Sequence, residues 1–403
     1  MKVYDVLIVG GGAAGFFAAV NAAKQNPKLK IGILERGNSV LSKVKISGGG
    51  RCNLTHAEFI PNVLATHYPR GEKELKGPFH SFTIGDTMAW FQSRGIPLKI
   101  EDDGRIFPVS NSAQTIIDCF LKEIQKYGVT LMKNHSVQSI APLENGWQLE
   151  TTNGLFSCQK LLIATGSNPK IWKLLAALGL HIISAVPSLF TFDIDDERIK
   201  DIPGVVAKNV YVEVLGTNLA SDGPLLITHS GFSAPSILKL SAFGAIELAA
   251  LNYCFDVKIN FIQQSEASCM QALLNSKSEL SKKQVRNSTI FNLPKRLWYK
   301  LVEASGISET LRWAEVNKSQ LQALSNQLTA AVFKVHGKST FKEEFVTAGG
   351  IDLKEIDFKT FESKRFKNLF FAGEILNIDG VTGGFNFQNA WTGAYLAAQE
   401  LSK

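Results

Sequence analysis

The sequence predicts an α/β protein whose main domain is a doubly wound parallel sheet assembled from both ends of the chain. Three observations predict it. An apolar run, Val6-Leu7-Ile8-Val9, leads into Gly10-Gly11-Gly12-Ala13-Ala14-Gly15 and then into helix formers through Lys24. A second run near the other end, Leu369-Phe370-Phe371, leads into Ala372-Gly373-Glu374, more glycines and a helix-like stretch to Leu401. Between them, over 187–261, the pattern changes to alternation, clearest at Val210-Tyr211-Val212-Glu213-Val214. Alternation marks a sheet or barrel with one buried face, not another strand–helix–strand unit.

The first element is a strand, a tight turn and a helix start. Gly10, Gly12 and Gly15 fit G-x-G-x-x-G: the first permits the turn, the second lets a pyrophosphate approach the backbone, and the third lets helix and strand pack closely. Ala13 and Ala14 open the helix, whose free N–H groups and dipole favour phosphate. The next strand, Ile31-Gly32-Ile33-Leu34, ends in Glu35 with Arg36 beside it, twenty residues beyond Gly15. A carboxylate there accepts hydrogen bonds from ribose hydroxyls. This half of the pattern accommodates NAD and FAD equally, since both carry adenosine diphosphate.

Helix-like segments follow over 86–94 and 112–126, then short strands over 147–152 and at Leu161-Leu162-Ile163-Ala164, which runs into Thr165-Gly166 before Asn168-Pro169 breaks it. The stretch 268–328 reads as several short helices broken at Asn292-Leu293-Pro294 and Gly306, and the chain returns to its first domain near Val346-Thr347-Ala348-Gly349-Gly350. At the C-terminus, Gly373 and Glu374 end a strand, and Asp379-Gly380-Val381-Thr382-Gly383-Gly384-Phe385-Asn386 opens the last helix. Strand, acid, glycines and helix some 330 residues after the first unit form the layout of flavoproteins with two dinucleotide-binding domains. In them the late acid meets the ribityl chain and the late helix faces the flavin's pyrimidine edge, which selects FAD.

A third segment narrows the family. Lys43-Val44-Lys45-Ile46-Ser47-Gly48-Gly49-Gly50-Arg51-Cys52-Asn53 follows the first ribose acid; Gly104-Arg105-Ile106-Phe107-Pro108 and Thr228-His229-Ser230-Gly231 come later. With the C-terminal glycine pattern, these resemble the bacterial flavoproteins that include aminoacetone oxidase and BaiN-type bile-acid reductases. The resemblance runs from Asp5 to Tyr395, and its most specific element is Ser-Gly-Gly-Gly-Arg-Cys-Asn. It implies a Rossmann-like FAD-binding domain over 1–188 and 345–403, an inserted β-barrel-like domain over 189–265 and 330–344, and a small helical insert over 266–329. It also implies that Lys43, Ser47, Gly48, Gly49, Gly50, Arg51, Cys52 and Asn53 lie at the cofactor, as do Ala164, Thr165 and Gly166 where the chain passes back beside the dinucleotide.

Composition agrees with an FAD-dependent oxidoreductase of the cytoplasm. A chain of 403 residues, 45% hydrophobic and 20% charged, is expected to form two or three domains. The apolar stretch over 4–23 resembles a signal peptide, but its spaced glycines and the following strand with Glu35 argue for the dinucleotide unit. No other run has the 18 or so uninterrupted apolar residues of a spanning helix. The five cysteines show no Cys-x-x-Cys and no metal-ligand spacing, so reduced thiols and no metal are expected. Cys52 reads either as a redox group or as a small buried residue under the flavin.

Candidate catalytic groups are His229, because imidazole titrates near neutral pH, and Arg105 with Arg51, as anchors for a carboxylate or carbonyl. Structural readings stand beside each: a turn-fixing histidine, and ion pairs. His56 is a weaker candidate. The expected reaction moves a hydride between flavin N5 and an unidentified small-molecule substrate. NAD(P)H is an expected transient reductant at most, because 154–347 holds no second G-x-G-x-x-G. The net charge is +7, and 266–344 carries 12 Lys/Arg against 7 Asp/Glu. That bias motivates an alternative, a flavoprotein that modifies or binds RNA. A flavin-binding sensor without turnover is the third reading.

Overall fold

The computed structural model describes residues 1–339 and 346–403; the expected domain boundary at 344/345 lies outside the described residues. These residues form two compact units, one from 1–186 with 346–403 and the other from 187–339.

The first unit is organised by a sheet in which strands distant in sequence are neighbours. Lys2–Val9 pairs in parallel with Ile31–Leu34 on one side and with Gly154–Ile163 on the other. Leu369–Phe371 then adds in parallel to Gly154–Ile163, and Thr130–Met132 adds to Ile31–Leu34. Such strands are covered on both faces and require nearly continuous apolar runs. Val6, Leu7, Ile8, Leu161, Leu162 and Ile163 are accordingly fully buried.

Two helices bring the ends of the chain together. Ala13–Gln25 and Phe385–Leu401 pack against one another, with the Phe17 ring 5.1 Å from Trp391 and 4.6 Å from Trp90. Burial of each such aromatic ring contributes about 1.5–3 kcal/mol. The segments expected as helices over 86–94 and 112–126 are Ile84–Gln92 and Ala113–Lys126. Thr83 and Asp86 cap the former reciprocally, and Ser112 accepts from Gln114 N–H to cap the latter.

Chain leaves and re-enters this unit along a two-stranded ribbon of Ile182–Ser188 and Val346–Ile351. The second unit contains an antiparallel sheet in the order Ala331–Val335, Phe255–Asn260, Val206–Val214, Ala220–Ile227, Gly231–Ser233, Thr191–Asp193, Gly337–Ser339. Its two outer strands are separated in sequence by His336 alone, so the sheet curls back on itself as a barrel does. Helices Glu266–Glu279, Lys295–Ala304 and Lys318–Thr329 follow the expected breaks. Their Leu273, Trp298, Leu301 and Leu324 share one buried core with Val257, Ile259 and Phe333 of the sheet. Among the described residues no helix is long and apolar enough to cross a membrane.

Candidate functional site

The parallel strands of the first unit end in register, and the predicted cofactor residues follow immediately. Gly10 N–H donates to Leu34 O at 2.8 Å, Ala164 N–H to Val9 O at 2.8 Å and Ala372 N–H to Ile163 O at 3.2 Å. Gly10, Glu35, Ala164-Thr165-Gly166 and Gly373-Glu374 therefore share one carboxyl edge, the place where open α/β sheets bind ligands. Gly373 draws the two chain ends together: a methyl group on it would lie 3.4 Å from Ala14 Cβ and 3.8 Å from Ala390 Cβ.

The fingerprint glycines differ in what requires them. A methyl group on Gly10 would strike Ala164 O, and one on Gly15 would strike Gly10 O. Neither position admits a side chain even without a ligand. Gly12 is different, since a methyl group there would meet no protein atom within 4 Å. Gly12 also caps Ala13–Gln25 without any side-chain acceptor, which leaves the first N–H groups at Ala13, Ala14 and Gly15 for an anion. The cradle fits the diphosphate of a dinucleotide. Glu35 accepts from Gly11 N–H and Gly37 N–H, each at 2.8 Å. Each oxygen thus uses one acceptor site on the backbone and keeps another for a ribose hydroxyl. Arg36 is exposed.

The most specific motif lies between these elements. Lys43 pairs with Glu374, and a methyl group on Gly166 would be 3.8 Å from Glu374 Oε2. The helix Ser42–Gly50 loses its regular turn at Ser47 and passes through left-handed Gly48, Gly49 and Gly50. Arg51 bonds Glu101 Oε1 at 2.7 Å and lies 3.9 Å over the Phe107 ring. Arg105 pairs with Asp103 at 2.7 Å and Glu101 at 3.6 Å. Arg51 holds the Glu101 carboxyl below the usual carboxylate range. Cys52 is fully buried, and burial pushes its thiol up to about 12. A neutral, packed thiol is no nucleophile near pH 7. Asn53 is buried with Oδ1 unpaired.

The turn that opens the last helix is held by side chains from far away. Asp379 is fully buried and paired with Arg70 through both carboxylate oxygens. Tyr68 donates to Phe385 O at 2.6 Å, and Asn386 bonds both N–H and O of Gly380. Gly384 caps Phe385–Leu401 with φ 98° and no side-chain acceptor, so this helix too presents free N–H groups. His56 and His67 both stack on Phe385, with centroids 4.6 and 4.3 Å away. Tyr68, Arg70 and His67 were not singled out from the sequence. They lie in a stretch without glycine spacing or strand signal, and only the fold brings them to the C-terminal turn.

His229 belongs to the second unit. It is exposed at the tip between Ala220–Ile227 and Gly231–Ser233, where Thr228 N–H donates to Gly231 O at 2.8 Å. The helix beyond it begins at Pro235.

A fingerprint turn, an acid after the next parallel strand and a second glycine turn share one sheet edge, as a Rossmann-type FAD-dependent oxidoreductase requires. The chain belongs to the family described as HI0933-like protein Rossmann domain, whose model matches residues 4–400. It is 29% identical to a ribosomal RNA dihydrouridine synthase of Escherichia coli (strain K12), over 100% of this chain and 98% of that protein. It is 26% identical to a 3-dehydro-bile acid delta(4,6)-reductase of Clostridium scindens, over 98% of each. In fold it is similar to 3-ketosteroid delta1-dehydrogenase from Sterolibacterium denitrificans, with a TM-score of 0.53, 10% identity and full coverage of both chains.

Proposed function

We propose that the protein adds two hydrogens across a C=C bond conjugated with a carbonyl group in a small-molecule substrate. The observation that carries this reading is the step common to the names of two relatives. A dihydrouridine synthase and a 3-dehydro-bile acid delta(4,6)-reductase both saturate such a bond. Bound FAD supplies the hydride from N5 of its reduced ring. The free N–H groups of the helix Phe385–Leu401 stabilise negative charge at the pyrimidine edge. Arg105, and Arg51 through the face not taken by Glu101, anchor the substrate carbonyl. A proton from solvent is added at the carbon next to that carbonyl. With no second fingerprint in 154–347, any nicotinamide reductant shares the substrate's cleft and leaves before the substrate enters, which gives ping-pong kinetics.

The test mixes anaerobically reduced protein with a conjugated enone and with an isolated alkene in D2O. The expected result is flavin reoxidation by the enone alone and a saturated product with one solvent deuterium next to the carbonyl. Equal reoxidation by both, or none by any enone, contradicts the reading.

A second reading places the same step on a uracil base in RNA. It is favoured by the surplus of 12 Lys/Arg over 7 Asp/Glu in 266–344, where Lys282, Lys283 and Lys295 are exposed. Binding of RNA that weakens steeply with salt, together with reoxidation by RNA and not by enones, would replace the first reading with this one.

A further inference from the structure

The turn before the last helix is held by an imidazole that the reaction above does not use. His56 Nδ1 lies 3.1 Å from Gly383 O. A methyl group on Gly383 would stand 3.2 Å from that nitrogen, and one on Gly104 would stand 2.6 Å from Nε2. The ring is thus wedged between two glycines, and Gly104, with φ +83°, leaves it the room.

Its backbone is equally fixed. Thr55–His56 pairs with Arg105–Pro108 in the register Thr55 to Ile106 and His56 to Arg105. Thr55 Oγ1 donates to Gln388 Oε1 at 2.7 Å, and Trp391 Nε1 donates to Leu54 O at 2.9 Å. The strand that follows the Arg51-Cys52-Asn53 motif is therefore fastened to the helix whose N-terminus His56 touches.

The charged and titratable groups around the imidazole come from two other elements. Arg105 is its cross-strand partner, and its charge is met by Asp103 and Glu101. His67 lies 6.3 Å away, ring to ring, on the same phenyl group.

We propose that His56 is a positioning residue for the flavin end of the cofactor and couples its reduction potential to pH. With Nδ1–H donating to Gly383 O, it sets the turn at Gly383-Gly384. A proton taken up at Nε2 adds positive charge beside that turn, which stabilises the negative charge of reduced flavin. The proposal rests on the reading that this turn meets the pyrimidine edge.

The test uses the FAD-loaded full chain and follows the midpoint potential of the flavin from about pH 5 to 8, the range in which imidazole changes charge. His56→Asn keeps a donor near Nδ1 but cannot take a charge. His56→Leu loses both. At pH 5 the wild-type potential should lie above that of His56→Asn, and the gap should close by about pH 8; His67→Asn should keep the wild-type potential across the range. FAD affinity should fall about tenfold in His56→Leu, the weight of one lost hydrogen bond, and change little in His56→Asn. No gap between wild type and His56→Asn at pH 5, or a gap of the same size at pH 5 and pH 8, overturns the proposal. Gly383→Val separates this failure from that of the underlying reading: if it leaves flavin spectrum and affinity unchanged, the turn does not meet the flavin at all.

Discussion

Two glycine turns in the first unit open long helices, and they are built differently. The turn at 10–15 is held within its own neighbourhood: Leu41 N–H donates to Gly11 O at 2.8 Å, and Glu35 takes Gly11 N–H. The turn at 379–386 is clamped by Arg70, Tyr68 and His56, each more than 300 residues away in sequence. Both helices have glycine N-caps without side-chain acceptors, so both ends offer N–H groups to a ligand. The difference teaches that the same ligand-facing device can be set by contacts close in sequence or by a shell of long-range side chains.

The largest expected effect is at the clamp. Arg70→Met removes the ion-pair partner of the buried Asp379 carboxylate and should cost about 3–5 kcal/mol in urea unfolding. A loss below about 1 kcal/mol would mean that water already reaches the pair. Within the local turn, Gly15→Ala should cost about 1–3 kcal/mol because its methyl strikes Gly10 O. Gly12→Ala should instead leave the stripped protein as stable as wild type and weaken FAD by about tenfold or more, measured by fluorescence titration, because its methyl meets only ligand space. Equal destabilisation by both would erase the distinction between fold glycines and cofactor glycines. Tyr68→Phe, which removes the 2.6 Å bond to Phe385 O, should cost about 1 kcal/mol. The smallest effect is at Glu101, whose lowered pKa comes mainly from its Arg51 hydrogen bond. Its contribution is complete above the ordinary carboxylate range and is lost as pH falls through the lowered value. Glu101→Gln should therefore differ from wild type in acid-induced flavin release near neutrality and converge with it in strong acid.

Legibility in the sequence follows the same division. Short-range requirements were readable: the close packing at Gly10 and Gly15, the apolar runs that became parallel strands, the helix over 112–126, and the breaks at Pro294 and Gly306. The family resemblance implies a small helical insert over 266–329. Its apolar faces nevertheless pack into the core of the curled sheet, a continuity that no local window records. The clamp was not readable either. Arg70 and Tyr68 follow a short helix of ordinary composition, Pro61–Ala65, and their partners are chosen only when Leu369–Phe371 pairs with Gly154–Ile163.

The most direct test of the account titrates the stripped full chain separately with ADP and with riboflavin, the two halves of FAD, in wild type, Gly12→Val and Gly383→Val. The account predicts that Gly12→Val loses ADP binding and keeps riboflavin, while Gly383→Val does the reverse. Loss of both ligands in each variant, or of neither in either, would contradict the claim that each end of the chain holds one half of the cofactor.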